Sequence, residues 1–136
     1  MSIQPRTSAI ACVNAPDMTP PAGHYSHVCI ANGWVFVSGQ LPIDATGRPL
    51  SDAPFDTQAK QVLRNVDAAL KAARVTRDDL VQVRVFVSDI AHWPAFNGLY
   101  ADWIGSHRPA RAVAESASLH YGAAIEVEAV ALASAR

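Results

Sequence analysis

The sequence predicts an α+β domain in which two helices cover one face of a five- or six-stranded sheet. Three observations carry that prediction. Two β-branched, aromatic runs are separated by only Asn32-Gly33. Apolar residues recur at three- and four-residue steps through residues 59–73 and again after Pro94. Alternating runs stand between and after those stretches. The chain has 136 residues, 50% of them hydrophobic and 17% charged, which is the length and composition of one globular unit. No repeat, low-complexity tract or charge block marks a boundary, so residues 1–136 are read as a single domain.

Taken in order, the apolar stretch from Ser8 to Val13 follows a single Arg and is too short for a secretory core or a membrane span, so a soluble, unprocessed chain is expected. The Pro-rich segment Asp17 to Gly23 reads as an ordered loop. His27 to Ala31 and Trp34 to Ser38 then form a hairpin, because Asn-Gly tolerates positive φ at both turn positions. Beyond a polar loop with Asp44, Gly47 and Pro49, residues Ala59, Val62, Leu63, Val66, Leu70 and Ala73 make one apolar stripe of a helix. Lys60, Arg64, Asp67 and Lys71 lie on its wet side.

Leu80 to Val87 alternates as a strand, with Val81, Val83, Val85 and Val87 on one face and Leu80, Gln82, Arg84 and Phe86 on the other. A second helix starts near Pro94, runs through Phe96, Tyr100, Trp103 and Ile104, and stops at Gly105 before Pro109. Arg111 to Ala117 and Ile125 to Leu132 supply two more strands, joined around His120-Tyr121-Gly122. The order is β-β-α-β-α-β-β. Two helices cover one sheet face only, and the other, built from Val81, Val83 and Val85 or their neighbours, would meet water in a monomer. A homo-oligomer that buries this face is therefore expected.

Eleven Lys+Arg against twelve Asp+Glu leave a formal charge of −1. No excess of either sign exists to hold a nucleic acid backbone or an anionic membrane, and neither partner is expected. Cys12 and Cys29 have no CxxC spacing, which gives no metal framework or disulfide scaffold, and a reducing cytosol is the expected location. Dinucleotide, Walker, GxSxG and HExxH signatures are absent from the sequence. His24-x-x-His27-x-Cys29 contains three metal-ligating residue types, but alternating side chains across a loop and strand start do not converge, so no metal is expected. His92, His107 and His120 read as polar residues at element ends.

Arg111 opens a strand, and Glu126 and Glu128 share one face of the next. If those strands pair with neighbours, a guanidinium and a carboxylate could line one cleft. Spacing alone favours a solvated ion pair at a sheet edge.

Several blocks, in order, resemble one family along nearly the whole chain. They are Gly23-His24-Tyr25-Ser26, Val35-Phe36-Val37-Ser38-Gly39-Gln40, Gln61-Val62-Leu63-Arg64-Asn65-Val66, Val85-Phe86-Val87-Ser88-Asp89, Phe96-Asn97-x-x-Tyr100, Arg108-Pro109-Ala110-Arg111 and Ile125-Glu126-Val127-Glu128-Ala129. The sequence resembles the RidA (YjgF) family of enamine/imine deaminases. The resemblance implies a chorismate-mutase-like α+β fold and a homotrimer with sheets inward, helices outward and ligand clefts between subunits. It also implies cofactor-free hydrolysis of small 2-imino acids, such as 2-iminopropanoate and 2-iminobutanoate, or their enamines, to 2-keto acids and ammonia.

The same resemblance assigns roles. Arg111 would grip the substrate carboxylate with its planar fork. Glu126 would activate water and return a proton to the departing nitrogen. Tyr25 would wall the cleft and hydrogen-bond the reacting centre. Ser38 and Gly39 would contact ligand through their backbone, Asn97 through its side chain, and Val113, which stands where relatives often carry Cys, through its carbonyl. The segment between Asn97 and Arg111 is shorter than in the best-studied branch, which implies a different cleft border. The alternative is a non-catalytic sensor or carboxylate-binding protein on the same scaffold. Ribonuclease activity, described for relatives, is disfavoured by the near-neutral charge.

Overall fold

Asn32 and Gly33 hold φ angles of 51° and 80°, the left-handed pair that a two-residue hairpin turn needs. They join strand β2 (Val28–Ala31) to β3 (Trp34–Gln40) in antiparallel register. The predicted hairpin forms, and its second strand runs past Ser38 to Gln40. The computed structural model describes residues 9–133; Ser8, where the N-terminal apolar stretch begins, lies outside them. Ala11–Val13 of that stretch is itself a strand, β1, paired antiparallel with β2. Three residues are too few for alternation to register in the sequence.

Helix α1 (Phe55–Ala72) buries Ala59, Val62, Leu63, Val66 and Leu70 along the expected stripe. Asp67 departs from the expected wet face, because its carboxylate accepts hydrogen bonds from Trp103 Nε1 and Arg77 Nε, both at 2.9 Å. Strand β4 (Leu80–Val87) follows, then α2 (Trp93–Ile104), which carries Pro94 in its first turn and ends at Gly105 with φ 74°. Strands β5 (Ala110–Glu115) and β6 (Ile125–Leu132) complete one six-stranded sheet in the order β1-β2-β3-β6-β4-β5. Only β4 and β5 run parallel among the described pairs. Strand β5 stops at Glu115, short of the expected Ala117.

One expectation about β4 fails. Val83, Val85 and Val87 lie fully buried under the helices, whereas Val81 is 40% exposed. Leu80 pairs with Ala131 and Gln82 with Val130, so a bulge at Val81 shifts the side-chain alternation. The face left open is therefore formed by Trp34 and Phe36 of β3, Gln82, Arg84 and Phe86 of β4, and Glu126, Glu128 and Val130 of β6. Phe36 is 47% exposed on this face. Unlike the buried valines, these residues present an apolar surface interrupted by carboxylates and a guanidinium.

Candidate active site

The loop before β2 hangs on His27. Its Nδ1 accepts the Ala15 amide at 3.0 Å, and its own amide donates to Asn14 Oδ1 at 3.1 Å. Burial pushes the His27 imidazole below its ordinary range, which favours the neutral ring needed for an Nδ1 acceptor. His27 is thus a structural latch, and among the described residues no group of His, Cys, Asp or Glu is placed to hold a metal. The latch carries Tyr25, half exposed, to the mouth of a groove of about 570 Å³ that it lines with Ser38, Gly39, His120, Tyr121 and Glu126.

Ser38 Oγ donates to the Ser26 carbonyl at 2.6 Å, tying β3 to the same loop. A bulge between Val37 and Gln40 then brings the backbone of Gly39 against Glu126. A Cβ at position 39 would stand 3.1 Å from the Glu126 carboxyl group, so glycine here allows the carboxylate to lie flat on the strand. Burial pushes the Glu126 carboxyl up from the usual carboxylate range; the nearby His120 opposes this and Glu128 adds to it. Such a carboxyl can exchange protons nearer neutral pH than an exposed one.

Arg111 lies elsewhere. It is in register with Val83 on β4, while Glu126 is in register with Phe86, so the two side chains leave opposite faces of the sheet. Strands β5 and β6 flank β4 on its two sides. The expectation that Arg111 and Glu126 could line one cleft fails within a single chain. The solvated ion pair expected of Arg111 does not form among the described residues either; Glu128 pairs instead with Arg84 of β4, at 3.6 Å.

On the helix side, Asn97 and Tyr100 of α2 are one turn apart and both face Arg111. Arg111 Nη2 donates to Asn97 Oδ1 at 3.0 Å, and its guanidinium carbon sits 4.7 Å from the Tyr100 ring centre and 6.0 Å from that of Phe96. Among the described residues no carboxylate pairs with it. Its fork borders a second groove of about 480 Å³, lined also by Asn97, Tyr100, His107 and Arg108. Val113, on the same face as Arg111, packs its side chain against the core.

Two contributors were not singled out from sequence. Tyr100 stood in the helix stripe and in the Phe96-Asn97-x-x-Tyr100 block but was given no role of its own, although its spacing from Asn97 and the Arg on the following strand was a usable signal. His120 read as a terminal polar residue, and only the folded chain brings it into the lining of the same groove as Glu126.

Residues 14–133 match the family model described as Endoribonuclease L-PSP. The chain belongs to this family, the YjgF/RidA family. A Homo sapiens relative named 2-iminobutanoate/2-iminopropanoate deaminase is 34% identical over 110 residues, spanning 81% of this chain and 80% of the relative. The solved structure of yeast Mmf1 superposes with a TM-score of 0.88 at 32% identity, covering 92% of this chain and 99% of that one. E. coli TdcF with bound serine superposes at 0.84 with 27% identity, over 91% and 99% of the two chains. The expected fold, one mixed sheet with both helices on one face, is that of these relatives.

Proposed function

We propose that this member of the RidA family is a cofactor-free deaminase of small 2-imino acids, acting where two copies of the chain meet in a homotrimer. The observation that carries the reading is the division of the site. An oriented guanidinium without an acidic partner among the described residues borders one groove, a carboxyl with a raised pKa borders another, and they lie on opposite sheet faces. Neither groove alone holds both groups. Apposing the Arg111 side of one protomer to the open face of the next would create one complete site and cover Trp34 and Phe36. The human relative's name and the serine bound to TdcF fit a small carboxylate-bearing ligand.

In this reading one N–H of Arg111 stays with Asn97, and others grip the substrate carboxylate in a planar fork. Tyr100 and Phe96 support the guanidinium from below. The grip fixes the imine carbon opposite Glu126. Glu126 takes a proton from water as the oxygen bonds to that carbon and hands it to the imine nitrogen, giving a carbinolamine. It then takes the carbinol hydroxyl proton and delivers it to the amine nitrogen as the C=O bond forms and the C–N bond breaks, releasing ammonia and leaving the 2-keto acid. One water is consumed and the carboxylate is regenerated. Tyr25 closes the groove beside the reacting carbon. The formal charge of −1 argues for this small anion rather than RNA as the ligand.

The test generates 2-iminopropanoate or 2-iminobutanoate with an amino-acid oxidase and traps residual imine with semicarbazide. Wild-type protein should speed imine loss, and Arg111→Ala should lower kcat/KM by about 100-fold or more, as expected when a charged anchor is removed. Calorimetric binding of a 2-keto acid with no gain in imine loss would instead assign the chain to carboxylate sensing.

A further inference from the structure

Cys12 of β1 and Cys29 of β2 are direct cross-strand partners, and their sulfurs lie 4.0 Å apart. Opposed residues of an antiparallel pair have Cα atoms about 4.5–5.5 Å apart, within the span a disulfide bridges. Within one chain Cys12 is exposed and Cys29 half-buried; the pair lies on the two outermost strands of the sheet, beyond Phe36 on the open face.

The pair also stands at a mechanically useful place. Residues 14–27, between the two strands that carry the thiols, form the loop that holds Tyr25. Just inside the thiols, Asn14 and Ala15 hydrogen-bond to His27. A covalent link at 12 and 29 would therefore lock the base of the segment that positions Tyr25, beyond what two hydrogen bonds and a three-residue strand hold.

We propose that Cys12 and Cys29 are a reversible redox clasp, reduced at rest and closed to an intramolecular disulfide by a peroxide, which rigidifies the Tyr25 loop. The Cys12 thiolate attacks a peroxide oxygen and the O–O bond breaks, leaving a sulfenic acid on Cys12 and a hydroxide that becomes water on protonation. Cys29 sulfur then attacks the Cys12 sulfur, the S–O bond breaks, and the departing hydroxide takes the Cys29 proton as a second water. Two thiols lose two electrons and two protons, and one hydrogen peroxide becomes two waters. Burial and the adjacent Cys12 push the Cys29 thiol up, which assigns the first attack to the more exposed Cys12. No cation contacts the pair in the described structure to speed that attack, so closure belongs to sustained oxidant exposure, not to rapid signalling.

Reduced full-length protein is exposed to hydrogen peroxide, alkylated with N-ethylmaleimide and weighed intact. The clasp predicts a loss of about 2 Da, no alkylation at either cysteine, and a peptide joining 12 to 29, all reversed by dithiothreitol. Chymotryptic cleavage at Tyr25 should slow severalfold on oxidation in the wild type and not in Cys12→Ser or Cys29→Ser. Stepwise oxygen addition without the 12–29 link, disulfides only between chains, or a linked form cleaved at the reduced rate would each overturn the proposal.

Discussion

At the scale of single residues, the site separates what a ring does from what a hydroxyl does. Tyr100 stacks under Arg111, yet its hydroxyl is buried and without a hydrogen-bond partner among the described residues. Burial accordingly pushes that hydroxyl's pKa up, opposed by the guanidinium. Tyr100→Phe should keep imine turnover within about twofold and leave Tm equal or higher, because it removes an unsatisfied polar atom and keeps the stack. Tyr100→Ala should lose both the stack and the packing. A large activity loss in the Phe variant would show that the hydroxyl touches the ligand. Glu126 presents the opposite trade. Its folded pKa is raised above the ordinary value of about 4.3. The native state then holds more protons than the unfolded chain between those two values. Stability is complete below the unfolded value and declines as pH rises through the folded one. Glu126→Gln should abolish turnover while giving a higher Tm than wild type at pH 7, with the gap closing towards pH 4. Equal Tm values at pH 7 would mean that ionised Glu126 carries no folding penalty.

At the scale of elements, the bulge in β4 separates two valines that alternation placed together. Val83 is fully buried and Val81 is 40% exposed. Val83→Ala should cost about 2 kcal/mol in urea denaturation, and Val81→Ala should stay within about 0.5 kcal/mol. Equal losses would contradict the bulge. The same feature marks where the sequence stops being informative. The hairpin, both helices and the alternating strands were legible because turn chemistry and periodicity are local, and Asn32-Gly33, Pro94 and Gly105 stand where they signal. Strand β1 was too short to show a period, and a one-residue slip at Val81 leaves no trace in a pattern made of valines. Register decides the site more than element type does. Arg111 and Glu126 were singled out as candidates through the family blocks, but only the pairing of β4 with both β5 and β6 reveals that they emerge on opposite faces.

At the scale of the whole molecule, that opposition makes a quantitative statement about assembly. If each site takes Arg111 from one protomer and Glu126 from the next, Arg111→Ala and Glu126→Gln are each inactive alone, because every site lacks one group. Mixing them before unfolding and refolding together produces trimers in which some interfaces pair the intact guanidinium of one variant with the intact carboxyl of the other. Random assembly from equal amounts restores about one quarter of the sites, since each of the two positions must be filled by the right variant. Recovered imine turnover near one quarter of wild type, appearing only after co-refolding and not on mixing the folded variants, is the expected result. A site built within one chain would recover nothing under either protocol. Light scattering on the same samples should give a particle about three times 14.5 kDa, and a monomer that retains activity would remove the composite site altogether.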